Sequence, residues 1–225
     1  AYREVPAERR THVLGALIKA HDENQFLIPP LPNTQFTRDT TAWIFGGVTL
    51  NPMRWPARQH ETVLASAIYN HHPAFATRDF EFWYGCAEGN HGMSTLEGGD
   101  IMPIGNGAVL IGMGERSSWQ AITQVARSLF AHHAARKVVV AAMAPDRASM
   151  HLDTVFSFCD TDLVTLYKPV VDKITSLVLE PSTQEACFSV RVDDRHFTAV
   201  VADCLGLDGL RTVETGGDCW EAQRE

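Results

Sequence analysis

A unit of sequence recurs along this chain, and the recurrence limits the available folds more than any other feature does. Its clearest copy spans residues 95–118, TLEGGDIMPIGNGAVLIGMGERSS. It opens on Glu97 against Gly98-Gly99-Asp100, where the missing Cβ atoms let another backbone come close. An apolar run, the turn Gly105-Asn106-Gly107 and a second run, Val109-Leu110-Ile111, predict a β-hairpin. Gly114-Glu115-Arg116-Ser117 follows, with Ser117 expected to cap the next helix. That helix carries Ile122, Val125, Ala126, Leu129 and Phe130 on one stripe, and Val138-Val139-Val140 predicts a closing strand.

Two more copies flank it. The earlier one begins at Asn33-Thr34-Gln35-Phe36-Thr37-Arg38-Asp39, and its hairpin runs Trp43-Ile44-Phe45 and Val48-Thr49-Leu50 flank Gly46-Gly47. A helix is expected from Pro56 with Val63, Leu64, Ala67 and Ile68 on one face, then a strand over 80–84. The later copy begins at Met150-His151-Leu152-Asp153 and turns at Asp160-Thr161-Asp162 into a strand over 163–166. A short helix after Pro169, a stripe of Phe197, Val200, Val201, Cys204 and Leu205, and a strand over 210–213 complete it. A fourth copy opens at Thr215-Gly216-Gly217-Asp218. Ahead of them all, residues up to Asp22 are amphipathic, and Pro29, Pro30 and Pro32 end that pattern.

Val48, Val109 and Val164 fall in register at a spacing of roughly 55–60 residues, the mark of a circular or stacked array. In a closed array equivalent positions converge on the axis, which gathers Asp39, Glu97 and Asp153. Carboxylates so gathered need a cation to offset their repulsion. His151 and Asp153, two apart in a predicted strand, would share a face. One possible guest is a metal held by His151, Asp153 and a distant His196, in the manner of a facial triad. The other is a guanidinium or amidine, whose planar fork of donors matches paired carboxylates.

Composition excludes several classes. A net charge of −8 with no basic cluster argues against nucleic acid and anionic membranes as partners. With 225 residues and 45% hydrophobic content the chain can bury a large core, yet it has neither an apolar run of membrane-spanning length nor a signal peptide. Five cysteines without paired spacing point to free thiols in a reducing compartment, and the cytoplasm is the expected location. The sequence has no initiating Met and stops at 220–225 without a terminating element, so a fragment of a longer protein is expected. His71-His72 and His132-His133 close helices, where cations suit the dipole. Trp43, Trp55, Trp83 and Trp119 are expected in core or rim packing, and Glu115 in a turn.

Asn33…Phe36-Thr37-Arg38-Asp39, Leu96-Glu97-Gly98-Gly99-Asp100, Gly112-Met113-Gly114-Glu115-Arg116-Ser117 and Met150-His151-Leu152-Asp153, in this order and spacing, resemble the successive motifs of the arginine deiminase family. That family belongs to the guanidino-modifying, or pentein, superfamily. The resemblance covers the chain from about Phe26 onward. It implies an α/β propeller of ββαβ units about a pseudo-fivefold axis, incomplete in this chain. It also implies two regions: residues 1–25 as the tail of a helical insertion and residues 26–225 as a partial propeller.

By the same resemblance the parent protein would hydrolyse L-arginine to L-citrulline and ammonia through a cysteine thiouronium intermediate, with no metal or organic cofactor, as a homo-oligomer. Asp39 and Asp153 would hold the guanidinium, His151 would act as general acid and base, and Glu97 would orient His151 and face the substrate. Arg58, Arg116 and Asn33 would take the α-carboxylate, and Phe36 would pack on the aliphatic stem. The family nucleophile lies in a Gly-rich His-Cys segment, a context that none of Cys86, Cys159, Cys187, Cys204 and Cys219 shares. No nucleophile is therefore assigned, and this piece is expected to be inactive alone. Two alternatives stand beside this reading: a non-catalytic arginine-binding paralogue, and another guanidino-modifying hydrolase such as agmatine deiminase.

Overall fold

The computed structural model describes residues 30–31, 33–77, 79–86, 89, 91–182 and 188–217. The chain divides into two compact units, residues 1–33 and 34–225. The amphipathic stretch before Asp22, the proposed insertion tail and the Asp218 of the fourth copy lie outside the described residues, as do Cys187 and Cys219.

In the second unit the repeat becomes three sheets. The first begins with a four-residue helix, α1 (Thr37–Thr40), and a hairpin of β1 (Thr41–Ile44) and β2 (Gly47–Leu50). Helix α2 (Pro56–His71) then leads back to β3 (Glu81–Tyr84), which lies parallel to β2. The second sheet repeats the scheme with β4 (Ile101–Gly105), β5 (Ala108–Met113), α3 (Trp119–Ala131) and β6 (Lys137–Ala142). The third uses β7 (Phe156–Phe158), β8 (Leu163–Leu166), α4 (Lys168–Val171), α5 (Phe197–Leu205) and β11 (Arg211–Glu214), again with the last strand parallel to the second.

Between α4 and α5 the chain makes an antiparallel hairpin, β9 (Thr175–Pro181) and β10 (Phe188–Asp193), which the repeat pattern does not contain. β9 pairs antiparallel with β6, so the second sheet grows to five strands in the order β10-β9-β6-β5-β4. The apolar run Leu177-Val178-Leu179 carries a strand signal for which the expected ββαβ scheme has no place.

The core lies on both faces of that sheet. Val109, Ile111, Val138 and Val140 pack with the α3 stripe of Ile122, Val125, Ala126 and Leu129. Leu110 and Val139, of opposite parity, pack with Leu152, Phe156, Val164, Phe197 and Val200. Burial on both faces explains why β5 reads as a continuous apolar run rather than an alternating one.

Several local expectations are corrected. The residue capping α3 is Ser118, whose Oγ accepts from the Ala121 N–H, and Ser117 is free for another task. α2 turns its polar side inward: Arg58, Glu61, Thr62 and Ser66 are buried, whereas Val63, Leu64, Ala67 and Ile68 face outward. The reason is electrostatic, because the inward side of the first turns meets buried carboxylates that require Arg58. His151 and Asp153 do not share a strand, since residues Leu152–Thr154 form a 3-10 turn. No helix among the described residues is long and apolar enough to cross a membrane.

Candidate active site

The turns that enter the three hairpins carry the chemistry. Asp39 lies in α1, Glu97 immediately precedes the 3-10 turn Gly98–Asp100, and His151 precedes the 3-10 turn Leu152–Thr154. All three are buried, and one ligand-capable atom from each lies within 4.8 Å of the others. His151 Nε2 is 2.8 Å from Glu97 Oε2, and its Nδ1 is 3.9 Å from Asp39 Oδ1. Gly99 makes room for the ring: a Cβ there would stand 2.6 Å from His151 Nδ1.

Two guanidinium groups balance the carboxylates. Arg58, at the start of α2, donates through Nη1 to Asp39 Oδ2 at 2.7 Å and lies 3.7 Å from Glu97 Oε2. Its Nε and Nη2 fork onto Glu61 at 3.1 and 2.9 Å, a bidentate pair. Arg116 donates through Nη1 to Glu97 Oε2 at 3.0 Å and also pairs with Glu115. The second oxygen of Glu97 accepts from the Arg54 backbone N–H at 3.1 Å. Glu97, with no exposed surface, is thereby satisfied at both oxygens.

These contacts set the protonation states. Burial alone would raise Glu97, but the bond and charge of His151, the charge of Arg116 and the Arg54 N–H bring it below its ordinary value. Burial alone would lower His151, and it is more than offset by the bond to Glu97 and the fields of Asp100, Asp39 and Glu97, which leave the imidazole above its ordinary value. Glu97 and His151 therefore form a buried anion–cation pair. Asp153, half-buried, is raised mainly by burial, with His151 and Arg38 opposing and Asp39 adding to the rise.

A stability prediction follows from these directions. His151 contributes fully below its unfolded value near 6.5 and loses that contribution as pH rises through its higher folded value. Asp100 and Asp153, raised from 3.8, favour the folded state while protonated, and Asp100, pushed up to about 7, loses this advantage as pH climbs toward that value. Glu97 has the opposite sense: its contribution is present above 4.5 and is lost on the acid side. Thermal melts should therefore show the midpoint falling between about pH 6 and pH 8. A midpoint that holds or rises over that range would contradict the assigned shifts.

The structure thus brings Asp39, Glu97 and His151 together, with Arg58 and Arg116 bound to them. Asp153 lies close enough to feel the charges of His151 and Asp39. Neither arginine presents an open fork, because Arg58 is engaged by Asp39, Glu61 and Glu97, and Arg116 by Glu97 and Glu115. Phe36 is half exposed next to the Asp39 turn, and Asn33 belongs to the first compact unit. His196 does not join His151; it caps α5 and bonds Asp172 at 3.1 Å, so the facial-triad arrangement does not form. A cation at Asp39, Glu97 and His151 would meet the two guanidinium groups already there, an arrangement better matched to planar donors than to a metal. Two contributors escaped the sequence reading: Glu61, which the Arg58/Glu61 i,i+3 spacing could have revealed, and Asp100, whose motif recurs at Gly216-Gly217-Asp218.

A model of the arginine deiminase family matches residues 2–225. The chain belongs to the arginine deiminase family. Solved structures with a similar fold include the apo form of ArgZ, an arginine dihydrolase from the ornithine–ammonia cycle in cyanobacteria, with TM-score 0.54, 16% identity, and coverage of 96% of this chain and 28% of that one. A variant of the ArgZ N-terminal domain covalently bound to a reaction intermediate gives TM-score 0.53 and 17% identity over 86% of this chain and 58% of that one. Another, bound to substrate, gives 0.52 and 17% over 83% and 54%. This arginine deiminase family chain spans about a quarter to three-fifths of the length of those structures. The shared fold is the pentein α/β propeller, present here as an incomplete set of ββαβ units.

Proposed function

We propose that the parent protein hydrolyses L-arginine to L-citrulline and ammonia, and that Asp39, Glu97, His151 and Asp153 form its guanidinium site. One observation carries this reading: a buried carboxylate pair beside a histidine already holds a guanidinium, that of Arg58, 2.7 Å from Asp39 and 3.7 Å from Glu97. A site that binds this group internally has the charge and the acceptor geometry for the same group on a substrate. Arginine would then displace Arg58 and free it, with Arg116, to receive the α-carboxylate.

The chemistry follows from the protonation states. A cysteine thiolate attacks the guanidinium carbon, and the tetrahedral adduct expels ammonia as the His151 imidazolium delivers its proton to the leaving nitrogen. The resulting thiouronium is attacked by water while His151, now neutral, takes the proton. Collapse breaks the C–S bond and returns the thiolate, and the hydroxyl proton passes to the released ammonia, leaving the ureido group of citrulline. Glu97 keeps His151 charged for the first step. Cys204 is unsuited to the nucleophile's role, since it lies in the core and burial pushes its thiol up. Cys86 contacts His91 on an exposed loop, and Cys159 is exposed at the β7–β8 turn. The reading therefore assigns the nucleophile to none of these three cysteines.

The test is to assay the full-length protein for citrulline with arginine and with agmatine, in the presence and absence of a chelator. Citrulline formation that the chelator leaves unchanged, with agmatine much slower, is expected. Binding of arginine without turnover would replace this reading by a non-catalytic binding protein, and preference for agmatine would move it to another guanidino hydrolase.

A further inference from the structure

Asp100 is a buried carboxyl group that the reaction as written does not use; only 1% of its surface is exposed. Its Oδ1 accepts from the backbone N–H of Leu152, the residue after His151, at 2.9 Å. Its Oδ2 accepts from Ser117 Oγ, the residue after Arg116, at 2.5 Å. Ser117 Oγ in turn accepts from the backbone N–H of Glu97 at 3.2 Å. A single side chain thus ties together the backbones that carry His151, Arg116 and Glu97. Strand β5 closes the place from behind, where a Cβ on Gly112 would fall 2.2 Å from Asp100 Oδ1.

We propose that Asp100 is a positioning residue of the guanidinium site, holding His151 and Glu97 at their bonding distance through the Leu152 N–H and through Ser117. This inference rests on the hydrolase reading of the site. Asp100 makes no hydrogen bond to Asp39, Glu97 or His151; beyond its field on His151, its action passes through the two turns. The charged groups that face it are His151 and Asp153, and its remaining partners are the Ser117 hydroxyl and the Leu152 N–H. Proton transfer to a leaving nitrogen is steeply sensitive to the placement of the acid, and a displacement of about 1 Å costs about 100-fold. The clamp is therefore expected to act on kcat rather than on substrate binding.

The full-length protein with Asp100→Ala, Asp100→Asn and Ser117→Ala tests it. Asparagine keeps the acceptor for Leu152 and can donate to Ser117, whereas alanine removes both contacts. Asp100→Ala should lower kcat by about 100-fold with KM within about threefold, and Asp100→Asn should restore most of the loss. Ser117→Ala, which cuts one arm only, should lower kcat by about tenfold and serves as the test should Asp100→Ala not fold. The second readout is independent of turnover: the titration midpoint of the His151 ring by NMR, identified by its loss in His151→Asn. It should fall in Ser117→Ala, which keeps the Asp100 charge, and fall further in Asp100→Ala than in Asp100→Asn, which has lost the same charge. A purely structural Asp100 would lower the melting temperature while leaving kcat at the wild-type value, the His151 midpoint of Ser117→Ala at wild type and that of Asp100→Ala equal to Asp100→Asn, and that result would overturn the proposal. Should the wild type make no citrulline, the hydrolase reading fails, and the ring titration alone still decides whether Asp100 positions His151.

Discussion

His151→Asn in the full-length protein is expected to lower kcat for citrulline formation at least about 1,000-fold, with KM for arginine altered much less. The loss is large because this residue does two jobs, acid toward the departing ammonia and base toward the attacking water. Its 2.8 Å contact with Glu97 keeps the ring charged at rest. Asparagine preserves size and one donor but moves no proton. Glu97→Gln probes the same pair from the other side: the neutral amide leaves His151 less basic, so the alkaline limb of the kcat profile, where the imidazolium is lost, should move to lower pH. Rates within about tenfold of wild type for His151→Asn would remove His151 from the proton-transferring role.

The second large effect concerns the fold. At Gly98 an added Cβ would lie 1.7 Å from the carbonyl oxygen of Arg38, next to Asp39. The obstacle is backbone in the turn that sets the first carboxylate, and no rotamer change can relieve it. Gly98→Ala should therefore cost at least about 3 kcal/mol and lower the melting temperature by about 6–12 °C. Gly46→Ala is the control, since a Cβ there meets nothing within 4 Å, and its melting temperature should stay close to wild type. Equal melting temperatures for the two variants would show that the contact at Gly98 is not as close as described.

The repeat was legible because it rests on local signals: turn glycines, apolar runs and the α3 stripe each specify their own element. Equivalence of position gathered Asp39, Glu97 and Asp153, whereas the cluster that forms is Asp39, Glu97 and His151, because the 3-10 turn at Leu152–Thr154 brings the histidine inward in place of the third carboxylate. What remained hidden was set by tertiary contact. The polar interior of α2 could not be inferred from its sequence, since Val63, Leu64 and Ile68 make the more apolar face; Arg58 turns inward to meet carboxylates supplied from elsewhere in the chain. Ser117 and Ser118 are chemically alike, and only the placement of Asp100 decides which one caps α3. The β9–β10 hairpin lies outside the period, and its place beside β6 is set by strand pairing rather than by the repeat.

The bond between His151 and Glu97 joins residues 54 positions apart, and that between Leu152 and Asp100 joins residues 52 apart. Arg38 reaches across 63 positions to the Ile101 carbonyl. None of these closures is favoured by local chain stiffness, and each costs loop entropy before any contact repays it. Their formation belongs late in folding, after the helices and hairpins, and topologies dominated by such contacts fold slowly. No single repeat can hold the site in a partly folded state. In a refolding experiment the His151 environment should accordingly recover no faster than the slowest step of the second unit, and in denaturant it should vanish together with the last of the cooperative structure.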